Sequence, residues 1–416
     1  MEHGGSQVPG LSHMNRVLVL TLLSLAGAGA SAQRPLVEWA LKTKSGAAVA
    51  TYATQAQCLA AAKDFSLPEA HDCEWRALGR PEAGAVVVPP AAPRATPPVA
   101  GGYMPQIDTT KIPAAQPGHS TARRQAAPGP FRNGDLQGPT RDEIGAVRMG
   151  CTFSHMSFND PLVYPGQPGA SHLHTFVGNT GTDQNSTAEA LASSGNSTCA
   201  GGTLNRSSYW FPTMIDTTDG TPLAPNGFLV YYKTGYGGVK PAAVQPVPAG
   251  LRFISGNAAA TAPAEATGVG RYSCVGGTGP GVGWQRSIPT TCKAGQSLIM
   301  EVHFPQCWDG KNLSSPDNKS HMAEATGSGC PSSHPVALPA ISYEIYYDVT
   351  AANVTRMPKW RLSSDNYPTT RPGGYSAHGD YVLGWDDATM KTFIKLCDQA
   401  AYDCHTNLLG DGTWLY

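Results

Sequence analysis

The chain has 416 residues, room for more than one domain, with a formal net charge of −1 and only 14% charged residues. That balance excludes the basic footprint of a nucleic-acid binder and the polybasic face that holds a protein on an anionic membrane. Its 47 glycines and 35 prolines favour strands, turns and loops over long helices.

Near the start, Met14-Asn15-Arg16 leads into an apolar run over 17–25 and then Gly-Ala-Gly-Ala-Ser-Ala. A short basic segment, an apolar core and an Ala30-Ser31-Ala32 cleavage site before Gln33 read as a signal peptide over 1–32, with Met14 as the start. No other apolar run approaches membrane-spanning length. The expectation is an exported, extracellular protein without a membrane span. The ten cysteines, an even number with no Cys-x-x-Cys spacing, suit disulfides in that compartment. Cys58 would pair with Cys73, and Cys307–Cys330 and Cys397–Cys404 are the sequence-local choices among the other eight.

Residues 33–80 read as a small disulfide-containing module: two tryptophan strands around Trp39 and Trp75, with a segment of helical propensity between them at 57–63. The two tryptophans serve either as the core of a mini-fold or as stacking faces for a polymer. Residues 81–130 turn to Ala, Pro, Val and Gly, as in Val88-Pro89-Pro90-Ala91-Ala92-Pro93, and read as an extended linker. A small module, a Pro-rich spacer and a larger domain is the layout of many secreted polymer-degrading enzymes, an analogy of architecture alone.

The main domain runs over 131–416. Strand-like runs lie at 227–233, 251–255, 297–304 and 341–349, separated by Gly, Pro and Asn clusters. One helix stands near the end, with Asp386 and Asp387 at its start and Met390, Phe393, Ile394 and Cys397 as its apolar stripe. The expected fold is mainly β: an antiparallel β-sandwich or jelly-roll with long loops and a C-terminal helix, plus the small N-terminal module.

The chemistry gathers in four segments. His172-Leu173-His174 places two imidazoles on one face of a strand, where they converge on one metal ion or one anionic oxygen. His378 or His321 would add a third nitrogen, and Asp380 or Asp160 an oxygen, a set that suits zinc or copper. Asp380, two residues from His378, would alternatively orient a ligand from behind. A second reading needs no metal: Asp160, Asp309 and Asp380 supply a carboxylate pair for glycoside hydrolysis. Trp308, Tyr375 and Trp385 would then stack on sugar rings, and Asn179 would position substrate. Asp309 lies in Trp-Asp-Gly-Lys-Asn, which reads equally as a tight turn. No Gly-x-Ser-x-Gly elbow and no phosphate-binding loop appears. A third reading drops catalysis and leaves a carbohydrate-binding or cell-wall-binding protein.

Asp160-Pro161 with Pro165-Gly166, His172-x-His174 with Gly178-Asn179, Cys307-Trp308-Asp309-Gly310-Lys311-Asn312, Lys319-Ser320-His321, His334-Pro335-Val336 and His378-Gly379-Asp380-Tyr381-Val382 form a set. Together, over residues 147–385, they resemble DUF1996, a secreted domain of unknown function found in fungi and bacteria and sometimes fused to carbohydrate-binding modules. Asn318 departs from the family, which commonly has His there, and this removes one possible ligand. The resemblance implies a secreted, polymer-facing protein and supplies no reaction. The sequence thus leads to an enzyme, hydrolytic and either glycosidase-like or metal-dependent, acting on an extracellular polysaccharide or other cell-wall polymer.

Overall fold

The structure is a computed structural model, and it describes residues 102–127, 144–263, 269–277 and 281–416, together with the backbone of strands Val37–Lys42, Ala48–Tyr52, Asp72–Ala77 and Thr140–Arg141. The chain divides into two compact units, 1–88 and 89–416. In the first, Val37–Lys42 is the central strand of a three-stranded antiparallel sheet between Ala48–Tyr52 and Asp72–Ala77, with Trp39 in register with Trp75. The helical segment expected at 57–63, the Cys58–Cys73 bridge and the signal peptide lie outside the described residues.

The second unit is built on two sheets. An eight-stranded sheet runs in the order Val282–Gln285, Gly270–Val275, Ser297–His303, Ala340–Asp348, Gly227–Lys233, Ala146–Cys151, Tyr402–Thr406, Thr140–Arg141. A five-stranded antiparallel sheet runs Arg252–Gly256, His378–Val382, Ser208–Pro212, His174–Gly178, Phe153–Ser157. Alternation decides which side chains enter the space between them. Along Gly227–Lys233, Phe228, Val230 and Tyr232 are buried while Leu229, Tyr231 and Lys233 face outwards. From the other sheet come Tyr209, Phe211, Phe253 and Tyr381. Tyr209 meets Phe228 and Tyr343 with ring centroids 5.6 and 5.5 Å apart, so side chains from both sheets form one core. The expected mainly β sandwich is therefore the fold.

The five-stranded sheet buries its second face as well. Phe176 stacks on Trp210 at 5.6 Å, and Val382, Ala188 and Leu191 close around them, the last two from the short helix Ala188–Ser193. All five positions of His174–Gly178 and of His378–Val382 are buried, so both faces of these strands are covered. The C-terminal helix Asp387–Phe393 forms where expected. The Asp386 carboxylate accepts the Thr389 N–H at 2.9 Å, and Met390 and Phe393 are buried.

Four disulfides fasten this unit. Cys307–Cys330 and Cys397–Cys404 are the two sequence-local pairs, and Cys151–Cys199 and Cys274–Cys292 complete the set. No helix among the described residues is long and apolar enough to cross a membrane.

The linker reading of 81–130 needs correction over 102–127. Gln116 N–H donates to Ser154 O at 2.7 Å, His119 N–H to Ser197 O at 2.7 Å, and Arg124–Ala126 pairs with Thr413–Leu415. Ile107 and Ile112 add apolar contacts to Phe153, Leu173 and Ile215. Composition missed this because main-chain hydrogen bonds, which composition does not encode, do most of the fastening.

Asp398, just beyond the C-terminal helix, is fully buried with both carboxylate oxygens unpartnered, and burial raises its pKa well above the ordinary value. A carboxyl with a raised folded pKa destabilises the fold increasingly as pH climbs from about 4 towards neutrality, because the unfolded chain releases the proton more readily. Asp398→Asn is therefore expected to melt higher than the native chain at pH 7, by on the order of 1–3 kcal/mol. The gap should narrow towards pH 4, as thermal unfolding at both pH values will show.

Candidate metal centre

His174 opens the His174–Gly178 strand and His172 lies two residues upstream, while Leu173 between them points the other way and is fully buried. His378 opens the His378–Val382 strand of the same sheet, separated from His174–Gly178 only by Ser208–Pro212. The sheet thus brings together residues more than 200 positions apart. His172 Nε2 lies 3.2 Å from His378 Nε2, and His174 Nε2 lies 3.4 Å from it. Among the described residues this trio is the one grouping of ligand-type atoms compact enough to hold a metal ion, its three nitrogens all within 4.8 Å of one another.

The backbone fixes the tautomers. His378 Nδ1 is 2.8 Å from Ser376 O, and His174 Nδ1 is 3.1 Å from Asn159 O. A carbonyl oxygen only accepts, so each Nδ1 carries the proton and each Nε2 presents a lone pair. The His174–His378 contact is therefore acceptor against acceptor. Burial keeps the rings neutral. It lowers the pKa of His174 to about 4 and of His378 to about 3, and it holds His172 well below the ordinary value, with the neighbouring imidazoles adding to the effect at His172 and His378. Three neutral imidazoles whose nitrogens lie this close, two of them presenting proton-free Nε2 atoms, are the donor set of a transition-metal site. His172 is only half buried, which gives the centre an approach from outside.

Two carboxylates and an ammonium stand close by. Asp160 is 3% exposed, and its Oδ1 accepts the N–H groups of Leu162 and Val163, both at 2.9 Å. Burial raises its pKa; those two hydrogen bonds, His378 and Trp210 pull the other way. Asp380, on the His378 strand and facing as His378 does, is 1% exposed with neither oxygen partnered. Burial raises its pKa well above the ordinary value, the Asp160 charge adds to this, and Lys319 opposes it. Lys319 donates from Nζ to Gly256 O at 2.7 Å, and Gly256 is the register partner of His378. Asn318, in the left-handed region at φ 53°, donates from Nδ2 to Leu162 O at 3.0 Å. It ties the Lys319 loop to the Asp160 loop and serves as a strut between them.

The other residues singled out in the sequence stand elsewhere. His321 has both ring nitrogens engaged, Nδ1 with Ser315 Oγ at 2.8 Å and Nε2 with Arg252 O at 3.0 Å, and it does not join the trio. Asp309 caps its own turn, accepting Lys311 N–H at 2.8 Å and Asn312 N–H at 2.9 Å, so the turn is what its sequence encodes. Trp308 Nε1 donates to Asn312 O at 2.7 Å. Asn179 is fully buried, and its amide donates to Leu191 O and Ser194 O and accepts from Gly181 N–H, leaving it to lock loops rather than touch substrate. Tyr375 is 7% exposed and stacked on Tyr367. Lys319 had no assigned role in the sequence reading, and only its place in the Lys-Ser-His motif marked it.

Asp160 separates a turn-capping role from a charge role. Asp160→Asn keeps an oxygen for the two N–H groups, so its melting point should stay near native while metal affinity falls by about 10–100-fold. Asp160→Ala should lose the same affinity and about 1–3 kcal/mol of stability besides. Calorimetry and chelator competition on both variants read the two effects apart.

No curated protein and no solved structure matches the chain. The family model described as "Domain of unknown function (DUF1996)" matches residues 160–385, which is more than half of the chain and includes His172, His174 and His378 with Asp160, Asp380 and Lys319. The chain belongs to that family.

Proposed function

We propose that this protein is a secreted, metal-dependent hydrolase of an extracellular polymer, most simply a polysaccharide. The observation that carries the reading is the His174–His378 contact, two proton-free nitrogens 3.4 Å apart in a buried setting. His174 and His378, with His172, would hold a divalent cation there, which would make the repulsive contact favourable, and the set fits zinc or copper. Such an ion, once bound, supplies Lewis-acid polarisation.

The rest of the chemistry belongs to the chain. Ser376 O and Asn159 O hold two of the imidazoles in the ligating tautomer. Asp160 and Asp380, buried beside the trio, are placed to accept and return a proton. Lys319 supplies positive charge where negative charge develops on the substrate. Four disulfides suit an oxidising exterior, and the small unit ahead of the larger one suits a polymer substrate. The full chain, stripped with chelator and reloaded with zinc or copper, is to be incubated with a panel of plant and microbial cell-wall polysaccharides while new reducing ends are counted. The expected result is turnover that disappears on chelation and returns with one of the metals. Turnover indifferent to chelation, or none on any polymer with the metal bound, would refute the proposal.

A further inference from the structure

A small three-stranded antiparallel sheet, Thr221–Leu223, Met214–Asp216 and Trp360–Leu362, lies outside the two large ones. Beside it opens a cavity of about 610 Å³, a volume that suits a sugar-sized molecule. One wall is the 103–106 segment, held in place where Tyr103 N–H donates to Asn366 Oδ1 at 2.7 Å. The remaining lining includes Thr218, Thr355, Arg356, Lys359, Arg361 and Thr369. The cavity thus presents three cationic side chains and no acidic one, and no residue of the histidine trio lines it.

Arg361 is the informative member. It is 3% exposed, and a guanidinium keeps its charge when buried because it does not release its proton. It donates from one terminal nitrogen to Tyr367 O at 2.8 Å and from the other to Arg371 O at 3.2 Å. The Tyr367 ring centre lies 4.3 Å from its Cζ. Two carbonyl dipoles and a ring face ease the burial, but they bring no negative charge, and Nε has no acceptor. Asp365, the nearest acid in sequence, is spent on the N–H groups of Leu362, Gly374 and Ser376 and on the Ser376 hydroxyl. Among the described residues, Arg356 pairs with Asp216 and Asp219, whereas neither Lys359 nor Arg361 has a carboxylate partner. Two cations without counter-ions therefore face one cavity, and its threonine hydroxyls can donate or accept.

We infer that this cavity is a second binding site, which takes a sugar-sized organic anion. The carboxylate or phosphate of the ligand sits against Arg361 and Lys359, while Thr218, Thr355 and Thr369 meet its hydroxyls. Such binding needs neither metal nor turnover, so the site and the proposed function stand or fall separately.

Isothermal titration calorimetry of the full native chain with galacturonate, trigalacturonate and glucose 6-phosphate tests this, beside glucose and inorganic phosphate. The expected result is saturable binding of at least one of the three sugar anions, about tenfold or more tighter than glucose. Preference for trigalacturonate would identify an acidic polysaccharide as the source of the anion, and preference for glucose 6-phosphate a free phosphorylated sugar; either upholds the site. Lys359 is exposed, so Lys359→Gln should fold as the native chain does and weaken binding about tenfold. Arg361→Gln, where circular dichroism shows it folded, should weaken binding further. The His172→Ala/His174→Ala double variant should bind as the native chain does, so loss of the metal centre and loss of this site give different outcomes. Absence of binding by all three sugar anions, or binding of glucose equal to theirs, would overturn the inference. So would binding of inorganic phosphate alone, or an affinity unchanged in Lys359→Gln, which would place the ligand elsewhere.

Discussion

His378→Ala is expected to leave the protein folded and to lower its affinity for zinc or copper about a hundredfold or more. The strand that carries His378 is hydrogen-bonded on both sides, so the fold does not depend on the imidazole. The truncation also removes the acceptor-against-acceptor contact with His174 at 3.4 Å, which offsets part of the cavity cost. Protein metal sites bind with about 10 kcal/mol or more, so one of three nitrogens carries roughly 3 kcal/mol, or about two decades of affinity. Competition against a chromogenic chelator measures this, with circular dichroism to establish the fold. Unchanged affinity in a folded variant would remove His378 from the centre.

Gly256→Ala is expected to damage the same centre from a position that bears no ligand. Gly256 adopts φ +92°, and a Cβ there would stand 2.4 Å from Ala377 O, 2.7 Å from His378 Cα and 2.9 Å from His378 Cβ. Two of these three atoms are backbone and the third is a Cβ, so no flexible side chain end is available to yield. The left-handed backbone costs about 1–2 kcal/mol for a residue with a side chain, and overpacking adds about 1–3 kcal/mol. The relief available is movement of the His378 strand away from Arg252–Gly256, which pulls the imidazole off the shared point. A drop of about 2–5 kcal/mol in unfolding free energy, together with weakened metal binding, is the expected outcome. Denaturant unfolding and chelator competition measure the two parts, and an alanine variant with native stability would show that the strand pair is slack.

The histidine pair was legible because a strand has a side-chain period of two, so His172-x-His174 declares a shared face without any knowledge of the partner. The third ligand was not. His378 and His321 were equal candidates by residue type, and only the strand order, which sets one strand between His174 and His378, separates them. His321 turns instead to Ser315 and Arg252, contacts its sequence could not announce. Asn179, adjacent to the motif in sequence, looked like a substrate contact, yet a buried amide ringed by loop carbonyls is spent on those carbonyls. Gly256 and Lys319 gave no periodic signal at all. Their roles arise from a register, Gly256 opposite His378, that is fixed by the sheet as a whole. The strands themselves were readable from β-forming runs such as Gly227–Lys233, in which every second side chain is buried. The attachment of 102–127 was hidden because main-chain hydrogen bonds leave no mark on composition.

The central claim is that His172, His174 and His378 hold a transition metal. Elemental mass spectrometry of the tag-free full chain, beside the His172→Ala/His174→Ala variant, tests it most directly. The account predicts about one equivalent of zinc or copper in the native protein and almost none in the folded double variant. A native protein that stays metal-free after incubation with either ion, or a double variant that retains the full equivalent, would contradict it.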